Sequence, residues 1–329
     1  MDWFERLLGF PEKSPAQVHE NLRLEGEDLV SLANGKRLRC GALETPSLAE
    51  LRERSAAIRV GETGQLSVRE LVADVQQLHQ LGENDGALFQ VASQFNLLEM
   101  VHPSVSPELG VTGYESDATQ GPACAIACGA ATVFRNYFAP VGDKIGQTGG
   151  EQIDCLADLG EAIGNANGEL WAMRNGYALA TEVGLETVHS LLESAPPTLR
   201  DKLRSRLRIG LQWRAGVTLG GSSNTVSQAF CSALPVAYSR LPASQWEPFA
   251  RLVLEAAYEA TLHAAVLNRE STGSPKVFLT LLGGGAFGNS PDWIVAAIER
   301  ALKIMRGSPL EVILVSYGSP TPEIQHLLD

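Results

Sequence analysis

The sequence predicts an α/β fold built on a largely parallel sheet and preceded by an N-terminal helical extension. Three observations point there. Residues 277–282 (VFLTLL) are apolar or Thr throughout, the pattern of a strand buried on both faces. Gly283, Gly284 and Gly285 follow, and then Ser290, Pro291 and Asp292 supply an N-cap, a first-position proline and a first-turn acid. Another apolar run, residues 311–317, comes after that helix. Strand, helix, strand in this order implies parallel strands joined by right-handed crossovers.

Taken in chain order, residues 1–80 are more charged and less periodic than the rest and are set apart as the extension; residues 81–329 form the main domain. Ser67 and Glu70 have the spacing of a capping box, which predicts a helix over residues 68–81. A turn over 82–86 leads to a short strand, 87–93. Residues 94–117 are irregular, with turns at Pro103, Pro107 and Gly110. Residues 119–138 (TQGPACAIACGAATVFRNYF) predict a helix, Pro122 lying near its start. Further helices are expected over 150–164 and 198–205. Strands are expected over 175–180, in a run ending at 217–219, and over 228–233. Ser244 and Glu247 form a second capping box, opening a helix to residue 267 with Phe249, Leu252, Val253, Ala256, Ala257 and Ala260 on its apolar face.

Composition narrows the function. The chain has 329 residues, 44% of them hydrophobic, enough for one large α/β domain or two smaller ones. Its net charge of −12 and the lack of a basic stripe argue against a nucleic-acid partner. Lys202, Arg204, Arg206, Arg208 and Arg214 read as a solvated face. Cys40, Cys124, Cys128, Cys155 and Cys231 stand in apolar or Ala-rich surroundings without regular spacing, which fits reduced thiols in a cytoplasmic compartment. Cys124 and Cys128 share a helix face, yet no nearby ligand completes a zinc set, so no metal is expected. No secretory signal is read at Asp2 and Glu5, and no apolar run approaches the roughly 18 residues a membrane helix needs. Delivery as an exported effector remains compatible with these features.

The glycine loop carries chemistry. A strand-to-helix turn of this kind presents backbone N–H groups beside the positive end of a helix dipole and holds a phosphate without basic side chains. Residues 278–298 contain no charge except Asp292. A tight packing turn is the alternative, although three successive glycines cost chain entropy that such a turn has little reason to incur. Gly283, Gly285 and Gly288 match dinucleotide-fingerprint spacing, but the motif lies near the C-terminus and no acidic strand end follows, which argues against a nicotinamide oxidoreductase. Walker A, G-x-S-x-G and H-E-x-x-H motifs are absent. A thiol enzyme using Cys124 or Cys231 lacks a basic partner nearby in sequence.

Four segments together resemble a macrodomain: FQVASQFNLLEM, YESDATQGPACAIACGAATVFRNYF, QAFCSALPVAYS and LTLLGGGAFGNSPDW. The likeness spans residues 87–317 and is closest to the divergent MavL-like branch of ADP-ribosyl hydrolases, which remove ADP-ribose from arginine. It implies a three-layer α/β/α sandwich with a mixed, largely parallel sheet. It also implies ADP-ribose or an ADP-ribosylated protein as partner, with no cofactor. By the resemblance, Gly283, Gly284, Gly285, Ala286, Phe287, Gly288 and Asn289 form one ligand loop, around the diphosphate and distal ribose. Gln120, Gly121 and Ala123 form the other. Asn96, with Gln94 beside it, corresponds to the residue that bonds the distal ribose, and Tyr317 stacks near the adenine. The chain departs from the family in having ASQFN in place of NAAN, and in lacking paired glutamates after GGG, which argues against poly(ADP-ribose) cleavage.

Breaking a glycosidic bond through an oxocarbenium-like state calls for carboxylates. The candidates are Asp117, Glu115 and Glu99, with Glu108 read as solvated. Asp117 precedes a helix start, where capping competes with catalysis. Glu99 follows Leu97 and Leu98, so partial burial and a raised pKa are expected. A binding module of the same fold, reading ADP-ribose without cleaving it, is the main alternative.

Overall fold

The computed structural model describes residues 1–60 and 64–328. Seven strands form its main sheet: β1 (Ala42–Glu44), β2 (Ser67–Val72), β3 (Leu88–Ala92), β4 (Gly210–Gly216), β5 (Thr225–Cys231), β6 (Lys276–Leu279) and β7 (Glu311–Ser316). Their order is β1-β4-β5-β3-β6-β7-β2. From β5 to β2 all neighbours are parallel, while β4 runs against both β5 and β1. The sheet is mixed and largely parallel, as expected. The strand expected over 277–282 ends at Leu279, and β6 pairs in parallel with β7, Val277 opposite Val312, as the strand–helix–strand order implied.

Period-2 alternation along the strands shows helices on both faces. In β3, Gln90 donates to Thr261 Oγ1 (3.0 Å) on the helix Ala243–Thr272, whereas its neighbour Phe89 stacks on His79 of the helix Val75–Gln80. In β5, Gln228 donates to the carbonyl of Cys124 (2.9 Å), and Cys231 turns the other way to Thr261. One layer therefore holds the helices Val75–Gln80 and Gln120–Ala127, and the other the 30-residue helix Ala243–Thr272. That long helix begins at Ala243 with no side-chain cap, so the Ser244–Glu247 spacing does not form a capping box.

Residues 68–81 are not one helix. Residues 67–72 form the edge strand β2, parallel to β7 in a register running from Ser67 opposite Glu311 to Val72 opposite Ser316. Asp74 then starts a new helix, accepting from the N–H of Gln76 (2.7 Å). A local Ser–Glu spacing lost to six ladder partners contributed from 244 residues away, a case of tertiary context overriding propensity. The predicted 119–138 helix is two, Gln120–Ala127 and Gly129–Tyr137, broken at Cys128 (φ −112°, ψ 57°). At the break, a Cβ on Gly129 would lie 2.7 Å from Leu7 and 2.9 Å from Trp3, so the N-terminal helix packs directly onto this point. The helix expected over 150–164 is confined to Ala157–Ile163.

A division at residue 80 cuts through the sheet, since β1 and β2 both precede it. What stands apart is residues 1–39, with helices Trp3–Leu8 and Pro15–Asn21 and a three-stranded antiparallel sheet. Their own core, including Phe4, Leu8, Val18 and Leu29, closes against Val133, Phe134 and Tyr137. Glu12 pins this segment to the irregular loop. Its carboxylate accepts from the N–H groups of Val111 (2.9 Å) and Thr112 (2.7 Å), from Thr112 Oγ1 (2.6 Å) and from the Tyr137 hydroxyl (2.7 Å). Replacing Glu12 by Ala leaves these donors unpaired and is expected to cost about 3 kcal/mol, read from the urea midpoint. An unchanged midpoint would show that solvent satisfies them equally well.

Candidate active site

A cavity of about 980 Å³ lies at the carboxyl ends of the five parallel strands. Ala73 and Asp74 follow β2, Ala92 ends β3 and Ser93 and Gln94 follow it, Ala233 follows β5, Thr280 to Gly283 follow β6, and Tyr317 follows β7; all of them line it. This is where α/β sheets place ligands. The crevice opens because β3 and β6 pair only at Leu88–Val277 and Phe89–Phe278. Beyond that point the Gln120 side chain serves β3, accepting from Ala92 N–H (2.9 Å) and donating to the Gln90 carbonyl (2.8 Å). Gln120 thus borders the cavity with its amide already committed. Gly121 is obligatory here, because a Cβ would stand 2.0 Å from the Ala92 carbonyl oxygen. The first-turn N–H groups of Gln120 and Gly121 have no acceptor among the described residues.

Facing them is the glycine loop. Gly283 adopts φ 75°, and the loop is closed by Asn289, whose N–H donates to the Gly283 carbonyl (3.0 Å) and whose Nδ2 donates to Leu234 (2.9 Å). Gly284 and Gly288 donate within the loop, to Leu281 and Gly285. The N–H groups of Gly283, Gly285, Ala286 and Phe287 have no acceptor among the described residues, and these four line the cavity. An aromatic wall adjoins the loop, with ring centroids of Tyr177 and Tyr238 5.1 Å apart and of Tyr177 and Phe287 5.3 Å apart. Tyr317, 84% exposed, stands at the rim.

Several expected ligand residues do something else. Asn96 is fully buried and absent from the lining; its Oδ1 accepts from Leu98 N–H (3.1 Å) and its Nδ2 donates to Gln152 (2.8 Å). Asn96 shapes the turn after β3 and lies away from the position the resemblance implied for it. Asn289, Gly284 and Gly288 are also outside the lining, and Asn289 is the loop's staple. Gln94 and Ala123 line the cavity, but Gln94 Oε1 accepts from Met100 N–H (2.7 Å) and the Ala123 carbonyl from Gln76 (3.2 Å).

All three candidate carboxylates border the cavity. Glu115 is exposed and engaged, accepting from Trp3 N–H (3.1 Å) and Arg6 Nη2 (2.6 Å); Arg6 holds its carboxyl below the usual range. Asp117 accepts from the N–H (2.9 Å) and hydroxyl (2.7 Å) of Thr119, so it does brace the helix start. Glu99 is 3% exposed, and neither of its oxygens has a hydrogen-bond partner. Burial pushes its carboxyl up to about 8, against the opposing pull of Arg135. Glu108 lies outside, tethered to Gly149 N–H (2.7 Å).

Sequence reasoning missed Asp74, Tyr114, Arg135, Tyr177 and Tyr238. Only Arg135 carried a signal, as the single charge within residues 119–138. Among the described residues, no three His, Cys, Asp or Glu side chains gather into a metal set, and no helix is long and apolar enough to cross a membrane.

No protein-family model matches the chain, and no curated protein matches it. Solved structures do. One is a poly(ADP-ribose) glycohydrolase from Deinococcus radiodurans in complex with ADP-ribose, at 12% identity and a TM-score of 0.47, with 96% of this chain and 98% of that one covered. Another is the Thermomonospora curvata poly(ADP-ribose) glycohydrolase bound to the inhibitor ADP-HPD, at 13% identity and a TM-score of 0.43, with 95% and 96% covered. Likeness at this level says nothing about chemistry, which the cavity's own side chains must supply.

Proposed function

We propose that the protein is a hydrolase that removes ADP-ribose from a modified protein side chain, with arginine the preferred linkage. The observation that carries this is the pairing, in one cavity, of unpartnered loop and helix-start amides with a buried, unpartnered glutamic acid. The amides of Gly283 and residues 285–287 suit a diphosphate, and the aromatic wall suits the flat or sugar parts of a nucleotide. Glu99, protonated near neutral pH, donates its proton to the departing nitrogen as the C–N bond breaks. Asp117 orients the water whose oxygen bonds to the anomeric carbon and takes the proton that this water loses. A guanidine is a strongly basic leaving group and needs such a donor. The acidic surface draws in a basic target. Five unpaired, buried cysteines suit a reducing, cytoplasmic setting.

The test is a panel of proteins ADP-ribosylated on Arg, Ser or Glu, with released ADP-ribose measured. Release from Arg is expected. No release from any linkage together with tight ADP-ribose binding would make the protein a reader. Asp117→Ala is expected to lose about 1 kcal/mol of stability through Thr119. Its turnover should fall about a hundredfold and its ADP-ribose affinity stay within about tenfold. Full turnover in folded Asp117→Ala would leave Asp117 with the brace alone.

A further inference from the structure

Below the cavity floor, on the helix Gly129–Tyr137, Arg135 is wholly buried. Its Nε donates to the Leu97 carbonyl (3.0 Å) and its Nη2 to Thr132 Oγ1 (3.1 Å), and the guanidinium lies 3.7 Å from the centroid of the Phe230 ring. Nη1 has no acceptor. The nearest carboxylate is Glu99, with Nη2 and Oε2 3.9 Å apart. A buried ion pair serving stability alone closes to hydrogen-bond distance, because the desolvation of both ions is otherwise poorly offset. This pair does not close. The guanidinium is fixed by a backbone oxygen, a hydroxyl and a ring, and both Glu99 oxygens, buried beside the cavity, stay without a hydrogen bond.

The anchor at Leu97 has a second effect. Leu97 has φ 65°, uncommon for a residue with a Cβ. Its side chain is wedged where a Cβ on Gly210 would come within 2.5 Å of it. Arg135 therefore holds the turn that delivers Glu99 two residues later.

We propose that Arg135 is a positioning residue for Glu99: it fixes the turn that carries this carboxylate and biases its proton equilibrium through space, without occupying either oxygen. Among the other groups facing Glu99, Tyr114 accepts from Glu99 N–H (3.0 Å) and its hydroxyl also favours the ionised carboxyl, but it carries no positive charge; Asp117 opposes that ionisation, Gly121 presents only backbone, and the nearby thiols of Cys124 and Cys128 are pushed up by burial. Of the two cations on the cavity wall, Arg6 is committed to Glu115, and Lys36 Nζ donates to the Arg6 carbonyl (3.4 Å). The catalytic meaning rests on the hydrolase reading; the titration of Glu99 does not.

The experiment follows the Glu99 carboxyl carbon by NMR from pH 5 to 10, in protein labelled at glutamate side-chain carboxyls, with Glu99→Gln assigning the signal. In Arg135→Met the midpoint is expected to move alkaline by at least about one pH unit. Arg135→Lys should restore most of the shift, and the alkaline limb of the turnover profile should move with the midpoint. A structural role alone would lower turnover evenly across pH. An unmoved midpoint in folded Arg135→Met overturns the proposal. If that variant does not fold, the guanidinium nitrogen signals of Arg135 in the wild-type protein decide. They must titrate with Glu99 and lose that titration in Glu99→Gln; failure to do so overturns the proposal equally. A shifted midpoint in a protein that hydrolyses nothing would leave this inference standing and the hydrolase reading refuted.

Discussion

Glu99→Gln is expected to cut ADP-ribose release by about a hundredfold or more, the scale of losing a general acid. ADP-ribose affinity should stay within about tenfold, or ~1.4 kcal/mol. The shapes of the two side chains match, so the difference lies in the proton. In the wild type, turnover should fall as pH rises through about 8, where Glu99 ionises in the folded protein. Stability carries the same signature. A carboxyl raised in the folded state binds its proton more tightly there than in the unfolded chain. Its stabilising contribution is complete below the ordinary carboxyl pKa and is lost as pH climbs towards about 8. The Gln variant does not titrate, so it should gain in melting temperature relative to the wild type between pH 5 and about 8. Calorimetry at both ends of that window, with turnover on the same samples, checks this. Full turnover in the folded variant would move the acid role elsewhere, and a constant melting difference would place the Glu99 carboxyl in the ordinary range.

Gly285→Val is expected to weaken ADP-ribose binding by at least about a hundredfold, or ~2.7 kcal/mol, with melting almost unchanged. A Cβ at Gly285 meets no atom within 4 Å, and its φ is not in the left-handed region. The fold can accept the side chain. Yet the residue borders the cavity among the unpartnered amides of Gly283 and residues 285–287, so a branched side chain there stands where a diphosphate must approach. Gly284 is a poorer probe, because its Cβ would press on Ile294 at 3.1 Å and mix packing with binding. Titration calorimetry gives the affinity. Unchanged binding in the folded variant would remove the diphosphate from this loop and leave the Gln120–Gly121 helix start to hold it.

These predictions rest on features of two kinds. The strand, glycine loop and helix from residue 276 to 304 were legible because each signal is local. An apolar run, consecutive glycines and a Pro at the first helical position act within a few residues of one another. The parallel pairing of β6 and β7 follows from the helix between them. The burial of Glu99 was legible too, from its two leucine neighbours. The helix forecast for 68–81 failed where a local signal met a distant one, as β2 found its ladder on β7. The placement of the site residues was likewise set by distant segments. Asn96 and Asn289 look like ligands in a polar loop, but the Asn96 amide is engaged with Leu98 and Gln152 and the Asn289 Nδ2 with Leu234. Glu115 looks available until Arg6, 109 residues earlier, is folded against it.

The sequence by itself determined the class of fold, the position of the glycine loop at the end of a buried strand, and the stretch of chain that holds the acids. Periodicity, turn chemistry and capping are properties of neighbouring residues. Only the tertiary structure decided which amides stay unpartnered, which carboxylate is buried without a bond, and that Arg135 stands 3.9 Å from it. Those depend on pairings between distant segments and on the water their packing excludes, which set both the hydrogen-bond accounts and the local dielectric.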